Sequence, residues 1–309
     1  MTACPPRVPA LSRPLLIACL VCWSLLTMTS SAADPGLYEM RVYDAPEGKL
    51  DALHARFREH TMKLFAKHGM TNVGYFVPAG DNPERRLIYF LAYPDRAARD
   101  ASWQAFLADP DWKSAHAASE RDGPLVKKIV TRFLVPTDYS PTPQVAAVGD
   151  RVFELRTYTA TAGNLAALDG RFRDHTLSLF KKHGMTNLVY WHAAAGSPDA
   201  DRMLIYLLAH PSREAARASF DAFRQDPEWV SARKASEERA GGSLTEAKDG
   251  VRSEFLVPTD YSPWKCSCRA ACPSRGSPSS WRPCDGSNHA RGGRDSRPHA
   301  ADSLRRRSG

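Results

Sequence analysis

The chain has 309 residues, 43% of them hydrophobic, which is enough for two ordinary domains. Its net charge of +8 lies at the ends, because residues 1–33 carry +2 and residues 264–309 carry +7, which leaves −1 for residues 34–263. We therefore predict no nucleic-acid partner, and since all seven cysteines lie outside 34–263, that segment can build no disulfide framework, thiol nucleophile or cysteine metal site.

The first element in chain order is a leader at residues 1–33. Arg7 and Arg13 precede the apolar run Leu15–Met28, which is short for a membrane span, and Ser31-Ala32-Ala33 supplies the small residues at which a signal peptidase cleaves. We expect a signal peptide, an exported protein (periplasmic or secreted) and no stable membrane span in the mature form. An uncleaved anchor and lipidation at Cys19 are the alternatives.

The rest of the sequence contains an internal repeat. Residues 38–77 align without gaps on residues 153–192, and 22 of the 40 positions are identical. Both copies later end in the same nine residues, FLVPTDYSP, at 133–141 and 255–263. The sequence therefore encodes one module twice, with a first repeat at 34–141, a linker at 142–151 and a second repeat at 152–263.

Each repeat has the element order β-α-β-β-α-β. In the first repeat, alternation over Tyr38–Tyr43 predicts a strand, and helical spacing from Leu50 to His68 predicts one helix that ends at Gly69. The other predicted elements are strands over Thr71–Val77, Arg86–Leu91 and Val126–Val135, and a helix that begins at Pro94-Asp95, breaks at Asp109-Pro110 and continues briefly through Trp112.

This element order predicts an α+β fold made of two ferredoxin-like modules. Each module has an antiparallel sheet with both helices on one face, and its other face must be covered. The second repeat supplies a second sheet, so we predict that the two modules pair within one chain as a barrel of the dimeric α/β type. A homo-oligomer in which two chains share their repeats is the alternative.

Residues 264–309 follow the natural end of the second repeat. They are rich in Arg, Ser, Pro and Gly, and Leu304 is their only large aliphatic residue, so we predict a disordered basic tail. Cys266, Cys268, Cys272, Cys284 and His289 suggest zinc, but their spacing fits no standard structural site.

Motifs at both ends of each repeat resemble the NIPSNAP family. The resemblance covers 38–141 and 153–263 and is carried by Tyr38-Glu39-x-Arg41-x-Tyr43 and His68-Gly69-Met70, and by Phe153-Glu154-Leu155-Arg156-Thr157-Tyr158 and Lys182-His183-Gly184-Met185. It implies the dimeric α/β-barrel superfamily, which includes haem-binding enzymes and cofactor-free monooxygenases. NIPSNAP proteins have no settled catalytic role, so the resemblance implies a fold and leaves the activity open.

His60 and His175 occupy equivalent positions on the first helix of each repeat. A helical wheel at 100° per residue places His60 at the border of the buried arc that contains Phe57 and Leu64. Each histidine is a candidate ligand contact or general base, or else a structural histidine bonded to a neighbouring strand. His68 and His183 precede the glycine that ends each helix, where a cation caps the helix dipole.

Arg41 and Arg156 lie on the strand face opposite Met40 and Leu155. They could bind an anion in a pocket, or form cross-strand ion pairs with nearby carboxylates. The aromatic candidates for a pocket wall, which could equally belong to the core, are Tyr75, Tyr190 and Trp191.

Residues 34–263 contain no HxH or HExxH motif, so we predict no metal site and no cofactor. Haem would need an axial ligand, and nothing in the sequence selects among His60, His116, His175 and His192. We predict a binding module for a small molecule or a protein, with His60 or His175, Arg41 or Arg156 and the aromatic candidates at its site. Of the two copies, the second has the bulkier wall residue, Trp191, so we favour His175 over His60 as the site histidine. The alternative is a small-molecule enzyme, either a cofactor-free or a haem-linked oxygenase.

Overall fold

The computed structural model describes residues 35–142, here called the first half, and residues 151–264, here called the second half. The predicted leader, most of the linker and all of the tail except Trp264 lie outside the described residues. The first half contains β1 (Leu37–Asp44), α1 (Leu50–Arg56), a π-helical segment (Phe57–Thr61), α2 (Met62–Lys67), β2 (Thr71–Pro78), β3 (Arg86–Tyr93), α3 (Arg96–Ala108), α4 (Pro110–Ser119) and β4 (Lys128–Pro136).

The second half repeats the same elements in the same order. They are β5 (Val152–Thr159), α5 (Leu165–Arg171), a second π-helical segment (Phe172–Thr176), α6 (Leu177–Lys182), β6 (Thr186–Ala193), β7 (Met203–His210), α7 (Arg213–Gln225), α8 (Pro227–Ala240) and β8 (Val251–Pro258). The predicted strands are present, and Gly69 ends its helix in the left-handed conformation, as expected (φ +77°). The predicted brief continuation through Trp112 is instead a full helix, because Asp109 caps its amino terminus.

All eight strands form one closed antiparallel barrel in the order β1-β3-β2-β8-β5-β7-β6-β4. Within each half the four strands pair along most of their length. The two halves join through short ladders, β2 with β8 at Phe76–Pro78 and β4 with β6 at Leu134–Pro136. One chain therefore supplies a mixed α/β fold with a closed eight-stranded barrel.

The two faces of each strand have different environments, as the alternation predicted. Met40 and Leu155 point into the barrel, whose interior is a packed apolar core that also holds Trp191 stacked on Phe90 at 5.3 Å. Glu39, on the opposite face of β1, points toward the helices and is fully buried. The barrel interior is thus core, and space for a ligand must be sought between the sheet and its helices.

Trp264 corrects the predicted start of the tail. Its side chain is only 2% exposed and packs inside the barrel against Phe76 at 6.0 Å and Phe153 at 5.6 Å. A composition averaged over 46 residues could not detect one buried aromatic at the boundary.

The nine-residue motif shared by both repeats joins one half to the other. In the second copy, Asp260 binds Arg58 through two hydrogen bonds of 2.8 Å, and the Tyr75 N–H donates to Ser262 at 3.0 Å. In the first copy, Asp138 pairs with Arg173 at 2.7 Å, and the N–H of Tyr190 donates to Ser140 at 2.9 Å; these bonds are the counterparts of the first set. Each half is therefore completed by the carboxyl-terminal segment of the other half.

The first helix of each half departs from the prediction of one regular helix. A π-helical segment interrupts it. There the Thr61 hydroxyl donates a hydrogen bond to the carbonyl of Arg56, and the Thr176 hydroxyl donates one to the carbonyl of Arg171. Hydrogen bonds from i to i+5 change the angle per residue, so a wheel drawn at 100° fails from this point onward. Within the described ranges, no helix is both long and apolar enough to cross a membrane.

Candidate functional site between the first-half sheet and its helices

A cavity of about 630 Å³ lies between the outer face of the first-half sheet and the helices that cover it. We call it the first-half cavity. β1 contributes its floor, the first helix and its π-helical segment one wall, and α3 and α4 the other wall. The side chains that define its chemistry are Arg41, Arg56, Phe57, Trp103, Trp112 and His116.

Two lining residues, Arg41 and Trp103, belong to an ion network around the buried Glu39. The carboxylate accepts hydrogen bonds from Arg41 and Arg99, each at 2.7 Å, and from the indole N–H of Trp103 at 3.0 Å. Burial alone would raise the pKa of Glu39, but the hydrogen bond from Arg99 and the charge of Arg41 lower it below its ordinary value. Glu39 therefore stays ionised, and the two guanidinium groups give the network a positive excess.

A further cation, Arg56, lies at the end of α1 and lines the same cavity. Its Nη1 atom donates to Glu120 at 2.9 Å and to Ser119 at 3.2 Å, and its guanidinium carbon lies 5.4 Å from the Trp112 ring centroid. Burial alone would raise the pKa of Glu120, but the hydrogen bond from Arg56 lowers it. Within 35–142 and 151–264, the buried Nε atoms of Arg41 and Arg56 have no hydrogen-bond partner.

Aromatic rings make the apolar walls. The guanidinium of Arg41 lies over the Trp103 ring at 4.4 Å, within the range of a cation–π contact. Phe106 packs against Phe65 at 4.9 Å and Trp112 at 4.4 Å, so the rings are fixed by one another. The π-helical segment places Arg56 and Thr61 at the same wall.

The mouth of the cavity adds further positive charge. Lys127 and Lys128 line it and are exposed, and Glu120 is the one carboxylate among the lining residues. His116 lies at the rim on α4, with Nε2 3.5 Å from Glu120 and its ring 5.2 Å from that of Trp112. The arrangement suits an anion that carries an apolar or aromatic body.

The predicted histidines lie elsewhere. The side chain of His60 is 50% exposed and borders a shallow groove between the first helix and α4, next to Lys63. His175 is half-buried and borders a smaller cavity of about 270 Å³ between α5 and α8. The structure does not bring either histidine together with Arg41 or Arg156, because the π-helical segment rotates both away from the sheet.

The predicted aromatic candidates are likewise separated. Tyr75 and Tyr190 are buried on the helix side of the barrel, where each hydroxyl bonds a nearby asparagine, Asn72 or Asn187. Trp191 points to the other side of β6, into the barrel core. Neighbouring residues of a strand face opposite ways, so Tyr190 and Trp191 cannot line one pocket.

Arg41 is the predicted site residue that lines the first-half cavity. Its ion pair with Glu39, like that of Arg156 with Glu154, runs along one strand and not across two strands as expected. Sequence reasoning missed Arg56 and Trp112 as site residues and considered His116 only as one of four possible haem ligands. Their signal was weak, because the predicted second helix ended too early to place Trp112 and His116 on one helix.

His68 and His183 form contacts that the capping prediction did not include. His68 bonds Asp109 at 2.6 Å and His183 bonds Asp226 at 2.8 Å. Each aspartate also caps the next helix and pairs with the preceding lysine of the first helix. Both histidines therefore tie the first helix to the last one in their half.

The chain is thus an antiparallel α/β barrel with a cavity between the outer face of its sheet and the helices that cover it. The chain belongs to the NIPSNAP family, whose sequence profile matches residues 38–141 and 153–263. No curated protein matches the chain.

Solved structures give partial likenesses. An uncharacterized NIPSNAP domain protein from Burkholderia xenovorans shares 22% identity, with 34% of this chain and 98% of that one covered and a TM-score of 0.30. A NIPSNAP family protein from Agrobacterium tumefaciens shares 25%, with 34% and 96% covered and a TM-score of 0.31. An anthrone oxidase-like protein shares 12%, with 74% and 92% covered and a TM-score of 0.48.

Proposed function

We propose that the first-half cavity binds a small organic anion with an aromatic body. The observation that carries this proposal is the placement of two largely buried guanidinium groups, Arg41 and Arg56, beside the rings of Trp103 and Trp112. Indole walls stabilise the apolar body, and the guanidinium groups offer hydrogen bonds to a carboxylate, phenolate or enolate. A volume of about 630 Å³ accommodates such a molecule.

Charge favours an anion over a neutral ligand. The lining includes Arg41, Arg56, Lys127 and Lys128, whereas its single carboxylate, Glu120, is already held by Arg56. A neutral aromatic molecule would fill the walls but leave this positive potential uncompensated. Binding of a small molecule is therefore favoured over a protein-binding role.

A second candidate function is catalysis on that molecule. His116 favours it, because a histidine at the rim of the cavity can exchange protons with both ligand and water. Of the histidines considered as haem ligands, His116 lines this cavity, but its Nε2 faces the Glu120 carboxylate at 3.5 Å. A cofactor-free reaction therefore fits this position better than iron ligation.

The binding proposal is tested with 2-naphthoate as the anionic probe and 2-naphthamide as its neutral counterpart. Calorimetric titration should show 2-naphthoate binding at least about tenfold more tightly, since a charge-assisted hydrogen bond contributes about 1.5–3 kcal/mol. Arg56→Gln should remove most of that preference. Arg171→Gln, the equivalent change in the second half, is the matched control and should leave it unchanged.

Two outcomes would contradict the binding proposal. One is equal affinity for 2-naphthoate and 2-naphthamide, which would mean that the guanidinium groups do not distinguish a charged ligand from a neutral one. The other is an equal loss in Arg56→Gln and Arg171→Gln. Trp112→Leu, with Trp229→Leu as its control, provides a second pair that leaves the charges in place.

We further propose export of the protein and a ferredoxin-like fold for each half. The order Arg7, Arg13, an apolar run and Ser31-Ala32-Ala33 supports a cleaved leader. Amino-terminal sequencing of the mature protein should begin at or near Asp34.

The strand order β4-β1-β3-β2 within the first half supports the ferredoxin-like assignment. Association of whole barrels into a homo-oligomer stays a prediction.

A further inference from the structure

His116 and Glu120 form a dyad at the rim of the first-half cavity. They lie one turn apart on and just after α4, with Nε2 of the imidazole 3.5 Å from Oε1 of the carboxylate. The carboxylate is held in place by Arg56 at 2.9 Å and by the backbone N–H of Leu125 at 3.3 Å. The imidazole is 46% exposed, so it lies at the boundary between the cavity and water.

The other groups around His116 come from each neighbouring element. Trp112 packs against its ring from the same helix, Arg56 approaches from the first helix, and Lys127 and Lys128 line the cavity from the β4 side. Among the described residues that line the cavity, Glu120 is thus the one carboxylate, and Arg41 joins Arg56 and the two lysines as the fourth cation. A positively charged imidazole is stabilised by Glu120, and a negatively charged ligand is stabilised by the cations.

We infer that the first-half cavity ionises a weakly acidic phenol or enol on binding, with His116 as the proton acceptor. The inference rests on the proposed anion-binding function and adds the class of ligand. The O–H bond of the ligand breaks, the proton forms an N–H bond on the imidazole, and the electron pair stays on the oxygen. Nothing is oxidised or reduced. The resulting phenolate or enolate lies between Arg41 and Arg56.

The second half cannot perform this transfer at the equivalent place. Arg233 stands where His116 stands, and its Nε already donates to Glu237 at 3.0 Å. A guanidinium has no free electron pair that accepts a proton near neutral pH. One proton acceptor per chain is therefore expected, located in the first half.

The test uses 7-hydroxycoumarin, whose excitation spectrum distinguishes phenol from phenolate. At about pH 7, where the free probe is mostly the neutral phenol, wild-type protein should bind it as the phenolate. Calorimetry in buffers of different ionisation enthalpy should then show almost no proton released to the buffer, because His116 retains it.

His116→Gln should either bind the neutral phenol or release about one proton per bound phenolate. His60→Gln, which changes an exposed histidine on the neighbouring helix, is the matched control and should behave as wild type. Melting temperatures establish that both variants fold, since both side chains are about half exposed.

Release of a full proton by the wild type, or binding of the neutral phenol by the wild type, would overturn the inference. Failure of 7-hydroxycoumarin to bind while 2-naphthoate binds would overturn it as well and leave the proposed function intact. Failure of both probes would reject the proposed function itself.

Discussion

The two halves of the molecule share a backbone plan but differ at the buried carboxylate on their first strand. In the first half, Glu39 is bound by Arg41, Arg99, Trp103 and Tyr93. The equivalent Glu154 is bound by Arg156, His210 and Ser253. Ala216 replaces Arg99 and Phe220 replaces Trp103, so the second half lacks one cation and one indole.

The loop before the last strand also differs between the halves. It is two residues longer in the second half, 241–250 against 120–127, and there Thr245 bridges to Ala160 and Glu246 donates its N–H to Thr159. Many lining residues are identical in both copies, Arg56 and Trp112 among them, whereas Trp103 and His116 are replaced by Phe220 and Arg233. Duplication allows such local differences, because one copy can change while the other keeps its role in the barrel.

The largest expected effect comes from separating the halves. Residues 35–142 expressed alone should aggregate or dimerise, because Met40, Phe90 and the rest of the inner sheet face would lose their cover. Size-exclusion chromatography with light scattering measures this, with residues 35–264 as the control. A soluble, cooperatively unfolding monomer of 35–142 would break the view that each half completes the other.

The next effect concerns Trp264, which within the described ranges is the aromatic side chain that enters the barrel from beyond the repeats. Trp264→Ala should lower the free energy of unfolding by about 3 kcal/mol, as expected for a buried aromatic cut to alanine. Thr142→Ala, the equivalent change in the first copy, should cost less than about 0.5 kcal/mol because Thr142 is exposed. Urea titrations measure both, and similar losses would contradict the asymmetry.

A smaller effect should distinguish the first-half cavity from the equivalent place in the second half. Trp103→Phe keeps a ring under Arg41 but removes the N–H that bonds Glu39, so 2-naphthoate affinity should fall about fivefold, as for one hydrogen bond of about 1 kcal/mol. Phe220→Trp, the reverse change in the second half, should alter the affinity less than about twofold. Calorimetric titration measures both, and an equal response would place the site outside the first-half cavity.

The smallest effect should be the same in both halves. Lysine and histidine partners lower the pKa of Asp109 and Asp226 below the ordinary aspartate value of about 3.9. Their charge therefore stabilises the fold above about pH 4, and this contribution is lost as the pH falls further. Asp109→Asn and Asp226→Asn retain the cap and should give equal, modest decreases in melting temperature at pH 7 that shrink below about pH 4. Unequal decreases at pH 7 would show that the halves differ here too.

Much of the fold could be predicted from the sequence, because its determinants are local or repeated. Alternation in Tyr38–Tyr43 predicted a strand with Glu39 and Arg41 on one face, and the need to cover two apolar sheet faces predicted a barrel from one chain. The burial of the Trp264 side chain could not be predicted, because it depends on a space that exists only after the barrel closes.

The candidate site was harder to predict for a specific reason. Self-comparison draws attention to positions that match, such as His60 and His175, and both lie outside the first-half cavity. His116 was not singled out, because its counterpart Arg233 does not match it. The π-helical segment added a second error, since it changes the winding of the helix without a recognisable residue pattern.

Each half is completed by the carboxyl-terminal segment of the other half. This arrangement also sets the order in which parts of the chain can fold. Ser140 lies 50 residues from Tyr190, its partner in the second half, whereas Ser262 lies 187 residues from Tyr75. Long sequence separation delays contact formation, and synthesis proceeds from the amino terminus. The first half, which contains the cavity, therefore waits for the last residues of the second half. During synthesis and refolding, the contacts that complete the first half should form last, after most of the barrel has formed.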